Sequence, residues 1–151
     1  MAQKPLVIRM RVTGARETLR AFRDLPKDAS KSLRERSQEL AEVLAIRVRA
    51  AGTAEGRQAA KVARTVRAAR DRVPVITARH PLVYATEFGM NRRSGWYAAG
   101  RYRDSAARQF KPHRGRAGYW IFPTVDSNGA EIGAAWRRVA DDVARQFGGR
   151  G

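Results

Sequence analysis

Cysteine is missing from all 151 residues, and histidine occurs only twice, at His80 and His113. Without thiols there is no disulfide and no zinc knuckle, a composition that fits assembly in a reducing cytoplasm. Acidic residues are scarce: 14 Asp and Glu stand against 31 Lys and Arg, a formal charge of +17. Lysine is scarce too. Lys4, Lys27, Lys31, Lys61 and Lys111 are the whole set, so the basicity is mostly arginine. The planar fork of arginine suits carboxylates, phosphates and aromatic faces, and an imbalance of this size implies a polyanion or an acidic protein surface as partner. Long apolar runs are lacking. The opening MAQKPLVIRMRV holds no secretory core, and nothing approaches the ~20 residues of a membrane span, so no membrane partner is expected.

What is present suffices for a core. Hydrophobic residues make up 43% of the chain, and the length is that of a single domain, 1–151. PLVIRMRV (Pro5 to Val12) alternates, with Ile8, Met10 and Val12 on one side and Arg9 and Arg11 on the other, which predicts a half-buried strand. Ala15, Leu19, Phe22 and Leu25 predict a short helix to Asp24. A longer helix follows from Lys27 to Ala51, with Leu33, Leu40, Leu44 and Val48 as its stripe, Val43 widening it and Gly52 stopping it. A short helix is expected over Ala59 to Val66, then strands over Thr65–Ala69 and Val73–Ala78 turning at RDR. GYWIFPTV reads as a strand, Tyr119 to Phe122, ended by Pro123. Ile132, Trp136, Val139, Val143 and Phe147 recur at helical spacing. They predict an amphipathic helix starting near Asp126 or Asn128 and stopped by Gly148. The terminal GGRG, residues 148–151, reads as a frayed tail. The order implies an α+β fold: a small antiparallel sheet packed with a long helix in the N-terminal half and a C-terminal amphipathic helix, plus a long basic loop or arm over 90–118.

Candidate chemistry is sparse. His80 and His113 form no helix-spaced metal pair, no serine sits in a nucleophile elbow, and the glycines match no phosphate-binding fingerprint. No catalytic, metal or cofactor residue is assigned, no cofactor is expected, and the chain reads as a non-enzyme. Glu87, in YATEFGMNRRSGWY, is the one carboxylate in an aromatic and glycine setting. A general acid or base there needs a partner that the sequence does not supply. The preferred reading is a structural anchor. Glu87 accepts hydrogen bonds from backbone or from an arginine such as Arg92 or Arg93, Phe88 enters the core, and Gly89 permits the turn. Beyond it, arginine interleaves with Trp96, Tyr97, Tyr102, Phe110, Tyr119 and Trp120. That pattern suits single-stranded nucleic acid, where arginine neutralises phosphate and aromatics stack on bases. It suits a protein-docking arm equally, since the same residues form interface hot spots. The interface candidates are Arg92, Arg93, Trp96, Tyr97, Arg101, Tyr102 and Arg103.

Three stretches in order carry a resemblance: VIRMRVTGARETLRAFRDLPKDASKSLRE, then PLVYATEFG, then YWIFPTVDSNGAEIGAAWRRVADDVARQF. Together they resemble the tail-completion proteins of long-tailed bacteriophages, the head–tail joining or neck proteins. The likeness covers most of the chain and departs from the family at Met90, where members carry a small residue. It implies a structural virion protein, assembled in the host cytoplasm and located at the tail end or neck. There it would form a homo-oligomeric ring, most often a hexamer, against tail terminator, connector or tail-tube proteins, with non-specific proximity to DNA in the lumen. The alternative is a basic nucleic-acid-binding protein using its Arg/aromatic loop.

Overall fold

The computed structural model describes residues 4–90 and 110–148. The alternation near the N-terminus builds strand β1 (Leu6–Arg9), with Ile8 buried and Val7 and Arg9 outside. Strands β2 (Arg67–Ala69) and β3 (Val75–Ala78) pair antiparallel, Arg67 facing Thr77 and Ala69 facing Val75. The three-stranded sheet has the order β1-β3-β2. With five α-helices among the described residues, the fold is α+β.

The helices follow the apolar spacing, with three corrections. Helix α1 (Ala15–Ala21) runs into a 3-10 turn over Phe22–Asp24, and Pro26 precedes α2 (Lys27–Glu55). Gly52 does not stop α2. It is buried in the last turn of the helix, where a Cβ would stand 2.7 Å from both Ala63 Cβ and the Trp120 ring. Close approach, and not termination, is the reason for glycine at this position. Val43 does not widen the buried stripe but is 39% exposed, while Ala29, Leu33, Ala41, Leu44 and Ala45 are buried. Short helices α3 (Arg57–Ala63) and α4 (Val83–Phe88) follow. The third correction concerns Tyr119–Phe122, which is not a strand. Residues Ile121–Gly148 form one 28-residue helix, α5. Pro123 is its third residue, where a backbone N–H would have no intrahelical acceptor, so proline costs nothing there.

The chain divides into two compact units, each drawn from three segments. The first comprises Met1–Leu6, Arg47–Val66 and Ala78–Asp126, the second Val7–Ile46, Arg67–Thr77 and Ser127–Gly151. In the second unit, Phe22, Ala29, Leu33, Val73, Val75, Trp136, Ala140 and Val143 form the core. Burying an aromatic such as Trp136 removes ~200 Å² from water, on the order of 5 kcal/mol before conformational entropy is set against it. Its indole N–H donates to the Arg72 carbonyl at 2.7 Å and to Ser37 Oγ at 3.1 Å. The Ser37 hydroxyl donates to the same carbonyl at 3.0 Å. A buried polar cluster is thereby satisfied at the β2–β3 turn. In the first unit, Val62, Val66, Val83, Trp120 and Ile121 are fully enclosed.

Of the stretch read as an arm, residues 110–118 pack back on α4 through bonds described below, and 91–109 lie outside the described residues. Of the expected frayed tail, Gly148 closes α5 and 149–151 lie outside the described residues.

Candidate functional site

Helix α4 is only six residues long, and it carries Glu87 into the interior with no exposed surface at all. The carboxylate meets the start of α5. Oε1 accepts the backbone N–H groups of Tyr119, Trp120 and Ile121 at 3.1, 2.9 and 2.9 Å, and Oε2 accepts that of Phe122 at 2.7 Å. A helix start leaves its first N–H groups without partners and carries partial positive charge. Glu87 takes each of these donors up to Pro123, which has none. The carboxylate therefore caps a helix whose first residue is 34 positions further along the chain. Burial pushes the Glu87 carboxyl above its ordinary range, and the backbone N–H groups of Phe122, Trp120, Ile121 and Tyr119 pull it back.

The neighbours of Glu87 reinforce this joint. Its carbonyl accepts the Tyr119 N–H at 2.8 Å, and the Phe88 carbonyl accepts that of Arg114 at 2.7 Å. The Phe88 ring is half-buried between Tyr84 and Phe122, with ring centroids 6.2 and 5.8 Å away. Gly89 adopts φ 78°, and a Cβ on it would stand 2.1 Å from the Pro112 carbonyl oxygen. Only glycine fits that backbone and that gap. Met90 donates to the Lys111 carbonyl at 2.9 Å and forms an isolated bridge with Pro112. The Tyr119 hydroxyl donates to the Pro112 carbonyl at 2.7 Å, and Lys111 and Arg114 each lie 5.1 Å from the Tyr119 ring. Residues 91–109 are thus flanked by two backbone segments bonded to each other. The seven interface candidates, Arg92, Arg93, Trp96, Tyr97, Arg101, Tyr102 and Arg103, lie outside the described residues.

The second unit carries a different feature. An open groove of ≈ 730 Å³ is rimmed by Arg9, Arg11, Arg16, Arg20, Arg23 and Arg72, with Asp71 as the one acid among its described lining residues. Its base is Met10, Val12, Ala15, Leu19 and Val73. Asp71 is already engaged, accepting from the Arg9 guanidinium at 2.8 Å and from the Arg72 N–H at 2.6 Å.

Protein-family models, curated proteins and solved structures yield no match to this chain.

Chemistry must therefore be read from the geometry. Glu87 has no exposed surface and both of its oxygens are occupied, so no substrate atom reaches it. His80 Nδ1 accepts the Leu82 N–H at 3.0 Å at the entry to α4. Among the described residues no three His, Asp or Glu side chains group as a metal site, and no helix is long and apolar enough to cross a membrane. Sequence reading placed Glu87, Phe88 and Gly89 together but missed the arginine groove. Its signal was there: Arg9 and Arg11 at strand period, and Arg16, Arg20 and Arg23 at spacings of four and three on α1 and its 3-10 extension.

Proposed function

We propose that this chain is a structural protein of a bacteriophage virion, acting at the neck or tail end in tail completion and head–tail joining as one subunit of a ring. The observation that carries this reading is the consumption of Glu87 by the fold. The carboxylate best placed by sequence for acid–base work is wholly buried and spends four hydrogen bonds on holding α5 to α4. A group held in this way positions backbone and does not turn over substrate. The order of the three resembling stretches supports the same reading. So do the exposed apolar side chains Val7 on β1 and Val43 and Ile46 on α2, which suit a neighbouring subunit better than water. Repetition of one heterologous contact closes a ring when its rotation permits. Tail terminator, connector and tail-tube proteins are the expected neighbours, and the ring is expected to be sixfold.

The test is complementation. Tails are prepared from virions lacking this chain, purified protein is added, and the products are imaged by negative stain. A sixfold ring at the head-proximal end, with head–tail joining restored, is expected. Scattered single copies along the tail, or joining that proceeds without the chain, would overturn the proposal.

A further inference from the structure

We propose that the arginine-rimmed groove of the second unit binds the phosphate backbone of a nucleic-acid duplex. Six arginines line it from three parts of the chain: Arg9 and Arg11 from β1 and its continuation, Arg16, Arg20 and Arg23 from α1 and the 3-10 turn, and Arg72 from the β2–β3 turn. Among the described lining residues Asp71 is the one acid against them, and Arg9 already holds it. Among the described residues no carboxylate lies within ion-pair distance of Arg11, Arg16, Arg20 or Arg23. Gathering six like charges around a single described acid raises the energy of the empty groove, and a polyanion relieves it.

The lining selects the polyanion. Among the described residues no aromatic side chain borders the groove, so they offer no stacking platform for the bases of a single strand. The large apolar side chains that stand exposed among the described residues, Val7, Val43 and Ile46, lie outside it, and at its base Met10 and Val73 are buried and Val12, Ala15 and Leu19 half-buried. An acidic peptide would therefore find charge but no large exposed side chain to seat the apolar anchor from which peptide affinity mostly comes. Phosphate needs only what the groove has, since guanidinium groups grip phosphate oxygens in pairs and carry no sequence preference. The inference does not rest on the neck reading, because DNA binding and ring assembly fail in different assays.

Binding of the full-length chain to a fluorescein-labelled 25-base-pair duplex of arbitrary sequence, followed by anisotropy from about 50 to 200 mM salt, tests it. Each phosphate neutralised contributes about −0.9 to the slope of log K against log[salt]. Arg16→Ala/Arg20→Ala should flatten the slope by about 1.8 and weaken binding at least tenfold at the low-salt end. The charge-matched control Arg34→Ala/Arg138→Ala, at exposed positions outside the groove, should change the slope by less than half as much. Arg11→Ala/Arg23→Ala is the second variant and should behave as the first. Equal effects of groove and control pairs would assign the binding to bulk charge and overturn the proposal. Tighter binding of a poly-glutamate peptide than of the duplex at equal salt, lost in the groove variants, would assign the groove to an acidic protein and also overturn it.

Discussion

Gly118 lies so close to the Glu87 carboxylate that a Cβ there would stand 2.4 Å from Oε2, and its φ is 71°. The two residues are one joint: a glycine that leaves room, and a carboxylate that fills the room to reach the first turn of α5. Gly118→Ala should destabilise by roughly 2 kcal/mol or more, adding a left-handed backbone penalty of about 1–2 kcal/mol to displacement of the carboxylate. Because both substitutions disturb the same cap, Gly118→Ala and Glu87→Ala should be non-additive. A double-mutant cycle by urea denaturation should show a coupling of at least about 0.5 kcal/mol, and strict additivity would dissolve the joint.

Trp120 and Trp136 are both buried to within 2% of full enclosure, yet they differ in one atom's fate. Trp136 Nε1 donates to Arg72 and Ser37, whereas Trp120 Nε1 has no acceptor among the described residues. Trp→Phe removes similar volume at each site. At Trp136 it also strips a donor from a buried carbonyl and hydroxyl, so Trp136→Phe should cost about 1–2 kcal/mol more than Trp120→Phe. Paired denaturation curves read the difference, and equal costs would contradict the buried polar cluster.

What could be read from sequence was what depends on local period. Ile132, Trp136, Val139, Val143 and Phe147 announced most of α5, and the alternation of Ile8 and Met10 with Arg9 announced β1. The start of α5 was misplaced because Tyr-Trp-Ile-Phe-Pro has the composition of a strand end, while the group that makes it helical, Glu87, is supplied from 34 residues upstream of Ile121. Gly52 was misplaced for a similar reason, since its need to be small comes from Trp120 and Ala63 and not from its neighbours along the helix. The groove arginines show periodicity individually, but their convergence is tertiary.

Burial raises the Glu87 carboxyl above its ordinary value of 4.5 in the folded chain. Between that value and the raised one the folded state holds more of the proton than the unfolded state does. The contribution of this group to stability is therefore greatest at low pH, declines as pH rises through the folded-state titration, and is level beyond it. The stability of the wild type relative to Glu87→Gln should fall from about pH 4.5 upward and then flatten. Denaturation midpoints of both proteins across pH 4 to 8 check this, and a relative stability that climbs over the same window would reverse the sign.

The central claim is that Glu87 belongs to the architecture and not to a reaction. Replacing a catalytic group typically leaves stability unchanged or improved, because active sites store strain that their removal relieves. Replacing a cap that serves buried donors does the opposite. Glu87→Gln keeps the size but puts an amide N–H₂ where one of two accepting oxygens stood, facing a backbone N–H of the first turn of α5. The direct measurement is the unfolding free energy of Glu87→Gln against wild type in urea at neutral pH. A loss of about 1–3 kcal/mol is predicted, and a variant as stable as the wild type, or more stable, would contradict the account.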